Sequence, residues 1–392
     1  MNKIKLLTPI ILAVLASCGT KEYVDKTNES ALNSSIDFSY EVDTVLIDAG
    51  GEFLFLNMDL YFSDYSTNEG FFYNLNPESG RMEVMDLDKN ALQEIIQYDL
   101  DGPNNVKGMA ITGIKKADSG DLFFMNYFSL VQLDSSNTKI ASYKLTNEFL
   151  NGDELAANDE IDGMGKIDKD GKYFVSFYGD YSRKDGLKGI ARISLADSSL
   201  RLFPLDFWGD LDKYEVSMDP GGGRAISAPE AKFLVANGED FIVSTTAKNE
   251  LWQYSNEVDS IINHQYSSQF TENIKPGKFQ QIAKNQTEFD ELIQQKVDEV
   301  VFGPLVKDEA SGRFYRYSRE LDKSSNNYTY VLAIFDQELN QLHEEKLRED
   351  VAIPGKYLPG GMAFVHMGNL YSFLNINDEL AFVRLKPIIN HE

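Results

Sequence analysis

The sequence is poor in cysteine and in positive charge. Cys18 is the only cysteine in 392 residues, which excludes an intramolecular disulfide and the small disulfide-held scaffolds of secreted proteins. Lys and Arg number 37 against 62 Asp and Glu, so the net charge is -25. Nucleic acid and anionic lipid surfaces require a positive field, so we expect no nucleic acid as a partner.

Histidine and long hydrophobic runs are also scarce. The four histidines do not occur at metal-ligand spacings, so we expect no metal and no cofactor. After the N-terminal segment, no run approaches the roughly 18 apolar residues that a membrane-spanning helix needs. Apolar residues nevertheless make up 42% of the chain and aromatic residues 12%, which indicates a folded protein rich in β structure.

The N-terminus has the composition of an export signal. Lys3 and Lys5 precede an apolar stretch, 6–16, that is too short to span a bilayer. The stretch ends in Leu-Ala-Ser-Cys at 15–18, which resembles the lipobox of bacterial lipoproteins. The resemblance implies cleavage before Cys18, acylation of that residue, and anchoring in the lipid bilayer. An ordinary secretory signal with an incidental cysteine is the alternative.

This interpretation divides the chain into three parts. Residues 1–17 are a lipoprotein signal peptide, residues 18–37 are a flexible polar tether, and residues 38–392 are the folded body. Gly19 follows the cysteine, whereas an Asp there would resemble an inner-membrane retention signal. We therefore expect an outer-membrane lipoprotein that faces the periplasm or the cell surface.

A repeat of about 51 residues runs through the folded body. Three segments combine Gly-Met-small, a short apolar run, a glycine turn and an aromatic run, and they begin at Gly108, Gly163 and Gly361. The first and last lie 253 residues apart, which is five steps of about 51. Less regular copies complete the set, and the six units begin near residues 52, 108, 163, 231, 300 and 361.

Each unit reads as four short strands, which predicts an all-β fold, a six-bladed β-propeller. The predicted blades span residues 51–100, 107–146, 160–206, 226–267, 297–348, and 359–387 together with 38–48. The last unit holds only three strand-like runs, so we expect Phe38 to Asp48 to supply its fourth strand and close the ring. One short helix, with Thr287 as its N-cap, is predicted in the connector before blade five.

Two motifs resemble those of a known family. Residues 101–106, Asp-Gly-Pro-Asn-Asn-Val, resemble its Glu-Gly-Pro-Asn-Gly-Val and depart from it at Asp101 and Asn105. Residues 313–317 resemble its Tyr-Tyr-Arg segment. With the lipobox and tether, the chain is thus similar to a Bacteroidota lipoprotein family of unknown function, related to TolB-like and NHL-like six-bladed propellers. The resemblance implies the fold and no particular reaction.

No catalytic constellation is apparent, so catalytic residues stay unknown. The cluster of Arg313, Tyr315 and Arg316 is the main candidate for ligand binding, because arginine with tyrosine suits carboxylates and sugars. Its alternative is pairing with acidic neighbours across the strands. Arg224, which follows three glycines, and His366 complete the candidate set. The alternative for Arg224 and its glycines is a flexible crossover, and the alternative for His366 is a partly buried or turn histidine.

Together these features predict a membrane-anchored envelope lipoprotein that binds a ligand, either an envelope protein or a glycan, on one face of the ring. Such a module should have a concave, aromatic-rich face. The alternative is an extracytoplasmic hydrolase or lyase acting on carbohydrate or peptide, which requires several titratable groups in one pocket. A structural partner in an envelope complex would instead show a flat apolar patch.

Overall fold

The structure, a computed structural model, describes residues 24–26, 36–102, 104–106, 110–182, 186–219, 226–348 and 362–390. Within these ranges 30 β-strands form seven sheets, with one α-helix and 3-10 helices at Asn57–Leu60 and Phe207–Tyr214. The predicted all-β class is confirmed. No helix in the described ranges is long and apolar enough to cross a membrane. The predicted signal peptide, 1–17, and Cys18 both lie outside the described residues.

The first half of the chain contributes two strands to later sheets and then builds three sheets in sequence. The early strands are β1 (Val24–Lys26) and β2 (Asp37–Leu46). Sheet 1 comprises β3 (Ser63–Ser66), β4 (Phe71–Asn76), β5 (Arg81–Asp86) and β6 (Ala91–Gln97). Sheet 2 comprises β7 (Ile111–Lys116), β8 (Leu122–Asn126), β9 (Ser129–Leu133) and β10 (Lys139–Lys144). Sheet 3 comprises β11 (Asn151–Gly152), β12 (Glu160–Ile161), β13 (Lys166–Ile167), β14 (Tyr173–Gly179), β15 (Leu187–Ser194) and β16 (Ser199–Pro204).

The second half builds three further large sheets and one small one. A small sheet is formed by β17 (Val216–Met218) and β18 (Ile226–Ala228) together with the later β23. Sheet 4 comprises β19 (Lys232–Asn237), β20 (Asp240–Thr245), β21 (Glu250–Ser255) and β22 (Ser260–Gln265). The connector that follows holds β23 (Ile282–Ala283) and α1 (Gln286–Asp298). Sheet 5 comprises β24 (Val301–Lys307), β25 (Phe314–Asp322), β26 (Asn327–Phe335) and β27 (Gln341–Lys346). Sheet 6 comprises β28 (Ala363–His366), β29 (Asn369–Ile376) and β30 (Glu379–Asn390), joined by β2.

Strand β2 joins the two ends of the folded body. It pairs antiparallel with β30, from Asp37 opposite Asn390 to Leu46 opposite Ala381, which is the pairing expected for the early run. Arg384 holds the register with two hydrogen bonds from its guanidinium to Asp43, at 2.8 and 2.6 Å. A bidentate pair of this kind fixes geometry as well as charge.

Strand β1 lies within the segment predicted as a flexible tether. It pairs in parallel with β22, with Val24 opposite Ile262 and Lys26 opposite His264. This part of the segment is therefore attached to sheet 4. The other residues between 18 and 35 lie outside the described part of the chain.

Apolar cores lie between neighbouring sheets. One core lies between each successive pair from sheet 1 to sheet 6, and another lies between sheet 6 and sheet 1. In that last core, Phe364 of sheet 6 stacks against Tyr65 and Phe72 of sheet 1, at centroid distances of 4.7 and 5.2 Å. Each fully buried Phe contributes about 1.5–3 kcal/mol. Both faces of each large sheet are thus covered by a neighbour.

Helix α1 begins at a different cap from the one predicted. Asn285, not Thr287, is the N-cap, and its side chain accepts a hydrogen bond from the backbone N–H of Glu288 at 3.0 Å. Asn285 has extended backbone, which lets its side chain reach the first helical turn, whereas Thr287 lies inside the helix. Phe289 and Leu292 then bury the apolar side of α1 against the small sheet.

A buried ionic network fastens the connector and α1 to sheet 4. Glu230 accepts ion pairs from Lys275 and Lys296, whose ammonium nitrogens lie 3.3 and 3.1 Å from Oε1. All three side chains are almost fully buried. Lys275 also donates to the carbonyl of Lys296 and Lys296 to that of Ala228, so each ammonium has a second partner. Because these charges are buried so deeply, removing one member of the network would leave another charged group without compensation.

Candidate functional site

A cavity of about 450 Å³ lies where the edge strands of five sheets meet. Its lining includes Ser63 of β3, Lys166 of β13, Leu234 of β19, Leu305 of β24 and Ala363 of β28. We call it the central cavity. Its volume falls within the range of small-molecule sites. Because each strand is the edge of its own sheet, side chains from five separate sheets can reach a single ligand there.

Charged side chains from sheets 1, 2 and 3 meet beside this cavity. The Lys115 ammonium lies 3.2 Å from both carboxylate oxygens of Asp64, and the backbone N–H of Lys116 donates to the same carboxylate at 2.8 Å. The Asp64 side chain is only 15% exposed. Burial raises the pKa of Asp64, while Lys115 and the Lys116 N–H favour the charged form and oppose that rise.

Lys166 lines the cavity itself and brings an ammonium into it. The Lys166 side chain is in contact with solvent, but many protein atoms lie close to it. Its burial among these atoms lowers the pKa of Lys166. The negative charge of Asp64 opposes this effect, and the positive charge of Lys115 adds to it. Neither at this cavity nor at any other place in the described ranges are three or more His, Asp or Glu side chains arranged to hold a metal ion.

Exposed aromatic side chains lie around Tyr61 and Asp162, which both line the cavity. We call Tyr61, Tyr127, Phe128 and Tyr181 the aromatic rim; each is 40–48% exposed, although large apolar rings are normally buried. They lie in loops next to strands of sheets 1, 2 and 3, and Tyr61 of the four lines the cavity itself. Asp162 lies among them: its charge raises the pKa of Tyr61 and of Tyr181, in both cases after the larger effect of burial. The rim therefore combines ring faces, hydroxyls and one carboxylate.

Close backbone packing positions this rim. A Cβ on Gly163 would lie 2.1 Å from the carbonyl oxygen of Asn126, so only glycine fits between sheets 2 and 3. The Thr112 hydroxyl donates to the Gly163 carbonyl at 2.7 Å, and Asp162 accepts from the Met164 N–H at 2.8 Å. The repeated glycine therefore serves close contact between sheets, which brings Asp162 to the mouth of the cavity.

The turn before β3 is strained. Met58, Asp59 and Leu60 all have left-handed backbone, with φ of 56°, 49° and 60°. For residues with a Cβ this conformation costs roughly 1–2 kcal/mol each. The turn directs Tyr61 to the cavity mouth, where the Tyr61 N–H donates to the Met58 carbonyl at 3.0 Å. Strain of this kind is found preferentially at functional sites.

The arginine-tyrosine cluster predicted for ligand binding lies elsewhere, between sheets. Arg316 is 2% exposed, donates a hydrogen bond to Asn249, and its guanidinium lies 5.2 Å from the Phe302 ring and 5.4 Å from the Phe335 ring. Burial lowers the pKa of Arg316 to about 10. Tyr315 points to the opposite face of β25, where burial raises its pKa to about 12 and Arg313 contacts its hydroxyl.

His366 does not join that cluster. His366 is 4% exposed between sheets 6 and 1, where Nδ1 lies 2.7 Å from the Tyr65 hydroxyl and Nε2 lies 3.2 Å from Asp88. Burial lowers the pKa of His366. Arg224 lies outside the described residues. The structure therefore does not bring His366 together with the arginine-tyrosine cluster, and ligand binding by the candidate residues stays a prediction.

The residues at the central cavity were not singled out from the sequence. Asp64, Lys115 and Lys166 follow one another at intervals of 51 residues, which is the length of the repeat. This spacing is the signal that identifies them, because equivalent positions in successive repeats lie around a common centre. Tyr61 lies just before β3 and Asp162 lies between β12 and β13, and no spacing in the sequence identifies either residue.

Comparison with known proteins places the chain in a family. Residues 35–346 match the family described as domain of unknown function, DUF4221. A solved DUF4221 member from Bacteroides vulgatus has 13% identity and a TM-score of 0.59, over 91% of this chain and 99% of that one. A Bacteroides fragilis protein described as exported has 8% identity and a TM-score of 0.47, over 94% and 99%. The β-propeller domain of Myceliophteria thermophila Cps50 has 8% identity and a TM-score of 0.40, over 88% and 99%. No curated protein matches. Since the family match spans most of the sequence, the chain belongs to the DUF4221 family.

Proposed function

We propose that the chain is a six-bladed β-propeller closed by β2, and that it binds a ligand in the central cavity. The cyclic order of the six cores, from sheet 1 to sheet 6 and back to sheet 1, supports a closed ring. In such a ring the sheets are the blades and their edge strands line the axis. The central cavity is then the axial pocket.

The ligand class follows from the rim. Pyranose rings have apolar faces that stack on aromatic side chains and hydroxyls that bond to carboxylates and phenols. Tyr61, Tyr127 and Tyr181 offer both a ring face and a hydroxyl, and Asp162 offers a carboxylate at the same mouth. We therefore propose that the ligand is an oligosaccharide. The observation that carries this proposal is the exposed aromatic rim around Tyr61 and Asp162, which line the central cavity.

Binding rather than catalysis suits the carboxylates of the cavity. Asp64 is held by the Lys115 ammonium and the Lys116 N–H, so it is not free to act as a base. Asp162 remains as a single carboxylate at the mouth. Hydrolysis or elimination would require an acid and a base acting together on one bond.

The proposed setting is the bacterial envelope. Acylation of Cys18 would anchor the ring to the membrane, and export agrees with the lipobox in the sequence. Replacing Cys18 with Ser should move the protein from the membrane fraction to the soluble fraction of fractionated cells. Retention of the Cys18→Ser protein in the membrane fraction would contradict the anchor.

Oligosaccharide binding can be tested by calorimetric titration of the full-length protein in detergent with a panel of neutral and acidic oligosaccharides. We expect the wild type to bind at least one of them, and Tyr61→Ala and Asp162→Asn each to weaken binding about tenfold or more, the size of a typical binding hot spot. Phe149→Ala is the control, because Phe149 is also an exposed ring, at 45%, but does not line the cavity. No binding by the wild type, or equal losses in the control, would contradict the proposal.

A further inference from the structure

Positive charge exceeds negative charge inside the central cavity. Among the described residues that line it, Lys166 and Lys232 carry ammonium groups and Asp162 is the one carboxylate. Lys232 lies in the field of Asp212, Glu215 and Glu230, which compensate its charge. Asp64 and Lys115 lie beside the cavity, and the charge of Asp64 acts on Lys166. Both oxygens of Asp64 lie 3.2 Å from the Lys115 ammonium, and one also accepts the Lys116 N–H. Asp64 is therefore already neutralised by Lys115.

Lys166 is left without a partner of its own. Among the described residues its ammonium makes no hydrogen bond and no ion pair, although its side chain lines the cavity. The carboxylate at the mouth does not compensate it, because Asp162 accepts from its own Met164 N–H and its charge acts on Tyr61 and Tyr181. An unmatched ammonium thus faces the cavity of a chain whose net charge is -25.

The walls around Lys166 strengthen its attraction for an anion. Leu234, Leu305 and Val306 line the same cavity, and apolar walls lower the effective dielectric constant. A lower effective dielectric constant strengthens the attraction between opposite charges relative to that in water. The surface field of an acidic protein would repel a free anion, so the anion must be part of a ligand that the rim also holds.

We propose that Lys166 binds a carboxylate group of the ligand, so that the oligosaccharide taken by the central cavity is an acidic one containing uronic acid. This inference rests on the proposed binding function. A single ammonium suits a monovalent carboxylate, whereas a phosphate group is normally held by several donors or by arginine. In the bound state the carboxylate lies against Lys166 while sugar rings stack on the aromatic rim.

The test compares charged and neutral forms of the same sugar. Trigalacturonate and trimannuronate, and the full methyl esters of each, are titrated into the full-length protein by calorimetry. We expect at least one acid to bind tenfold or more tightly than its ester, and the difference to shrink as salt is raised from 50 to 500 mM. Lys166→Met should bind acid and ester alike, and Lys166→Arg should keep part of the preference. Lys172→Met is the control, because Lys172 is 68% exposed and lies outside the cavity lining.

The outcomes separate the two proposals. Equal binding of acid and ester by the wild type, with loss of both in Tyr61→Ala, would leave oligosaccharide binding standing and overturn the role of Lys166. Binding of neither probe, together with binding of none of the neutral sugars, would overturn both. If circular dichroism shows that Lys166→Met does not fold, Lys166→Gln takes its place, and an unchanged preference in that variant also overturns the inference.

Discussion

Replacing Glu230 with Gln would remove the one carboxylate shared by two buried ammonium groups. Lys275 and Lys296 lie 3.3 and 3.1 Å from the same oxygen of Glu230, and their side chains are 1% and 7% exposed. Gln has nearly the same shape and can still accept the hydrogen bond from Thr246. The substitution therefore tests the charge of Glu230 with little change in packing.

The expected loss is large. Removing one partner of a buried ion pair costs about 3–5 kcal/mol, since the remaining charge stays buried without compensation. Glu299 also acts on Lys275, which places the loss near the lower end of that range. For roughly 350 folded residues, the entropy of unfolding is about 0.7 kcal/mol/K, so a loss of about 3 kcal/mol lowers Tm by about 4 °C.

The assay is guanidinium and thermal unfolding at pH 7, followed by circular dichroism. Glu257→Gln is the control, because Glu257 is exposed, and it should change the free energy of unfolding by less than about 0.5 kcal/mol. The double variant Glu230→Gln, Lys296→Met should recover part of the loss, since it removes one of the stranded ammonium groups. A loss below about 1 kcal/mol in Glu230→Gln, or simple addition in the double variant, would refute the reasoning.

Two further predictions concern the closing strand and the rim. Arg384 holds the pKa of Asp43 at about 2, so Asp43 adds stability above its ordinary pKa of 3.8 that is lost as pH falls through about 2. Its side chain is 39% exposed, so we expect Asp43→Asn to cost only about 1 kcal/mol at pH 7 and less at pH 3 in denaturant unfolding; a pH-independent cost would contradict this. Gly163→Ala should prevent stable folding, because its Cβ would meet Asn126 at 2.1 Å, whereas Gly209→Ala meets nothing within 4 Å and should change Tm little; similar melting curves would contradict the packing argument.

Strand positions were predictable because they depend on local pattern. Ala191, Ile193 and Leu195 alternate with Arg192 and Ser194, which predicts one buried face, and all three are buried in or next to β15. The missing fourth strand of the last unit likewise predicted the pairing of β2 with β30. The small sheet was not predicted, since β17 pairs with β23 across more than 60 residues, and no local period marks such a contact.

The arginine-tyrosine cluster shows what the alternation of residues along a strand cannot predict. The pattern correctly separates Arg316 from Tyr315 onto opposite faces of β25, yet a pattern cannot say whether a face meets water or another sheet. Sheet 5 is covered by sheet 4 on one side and by sheet 6 on the other, so both faces are interior. Arg316 therefore packs among aromatic rings with a hydrogen bond to Asn249, where the sequence suggested a ligand surface.

The charges of the central cavity are a different case, because the sequence does contain them. In a repeat protein each unit places its equivalent residues at equal distances from the centre, so three residues spaced by one period converge however distant they are in the chain. Asp64, Lys115 and Lys166 obey the 51-residue period, and Thr112 and Gly163, which are hydrogen-bonded to each other, obey it too. In a purely structural ring these inward positions would be expected to be apolar, like Leu234 and Leu305 on the other side of the same cavity. Charges at the inward position of three successive units, with one ammonium left unmatched, therefore argue for a ligand at the centre.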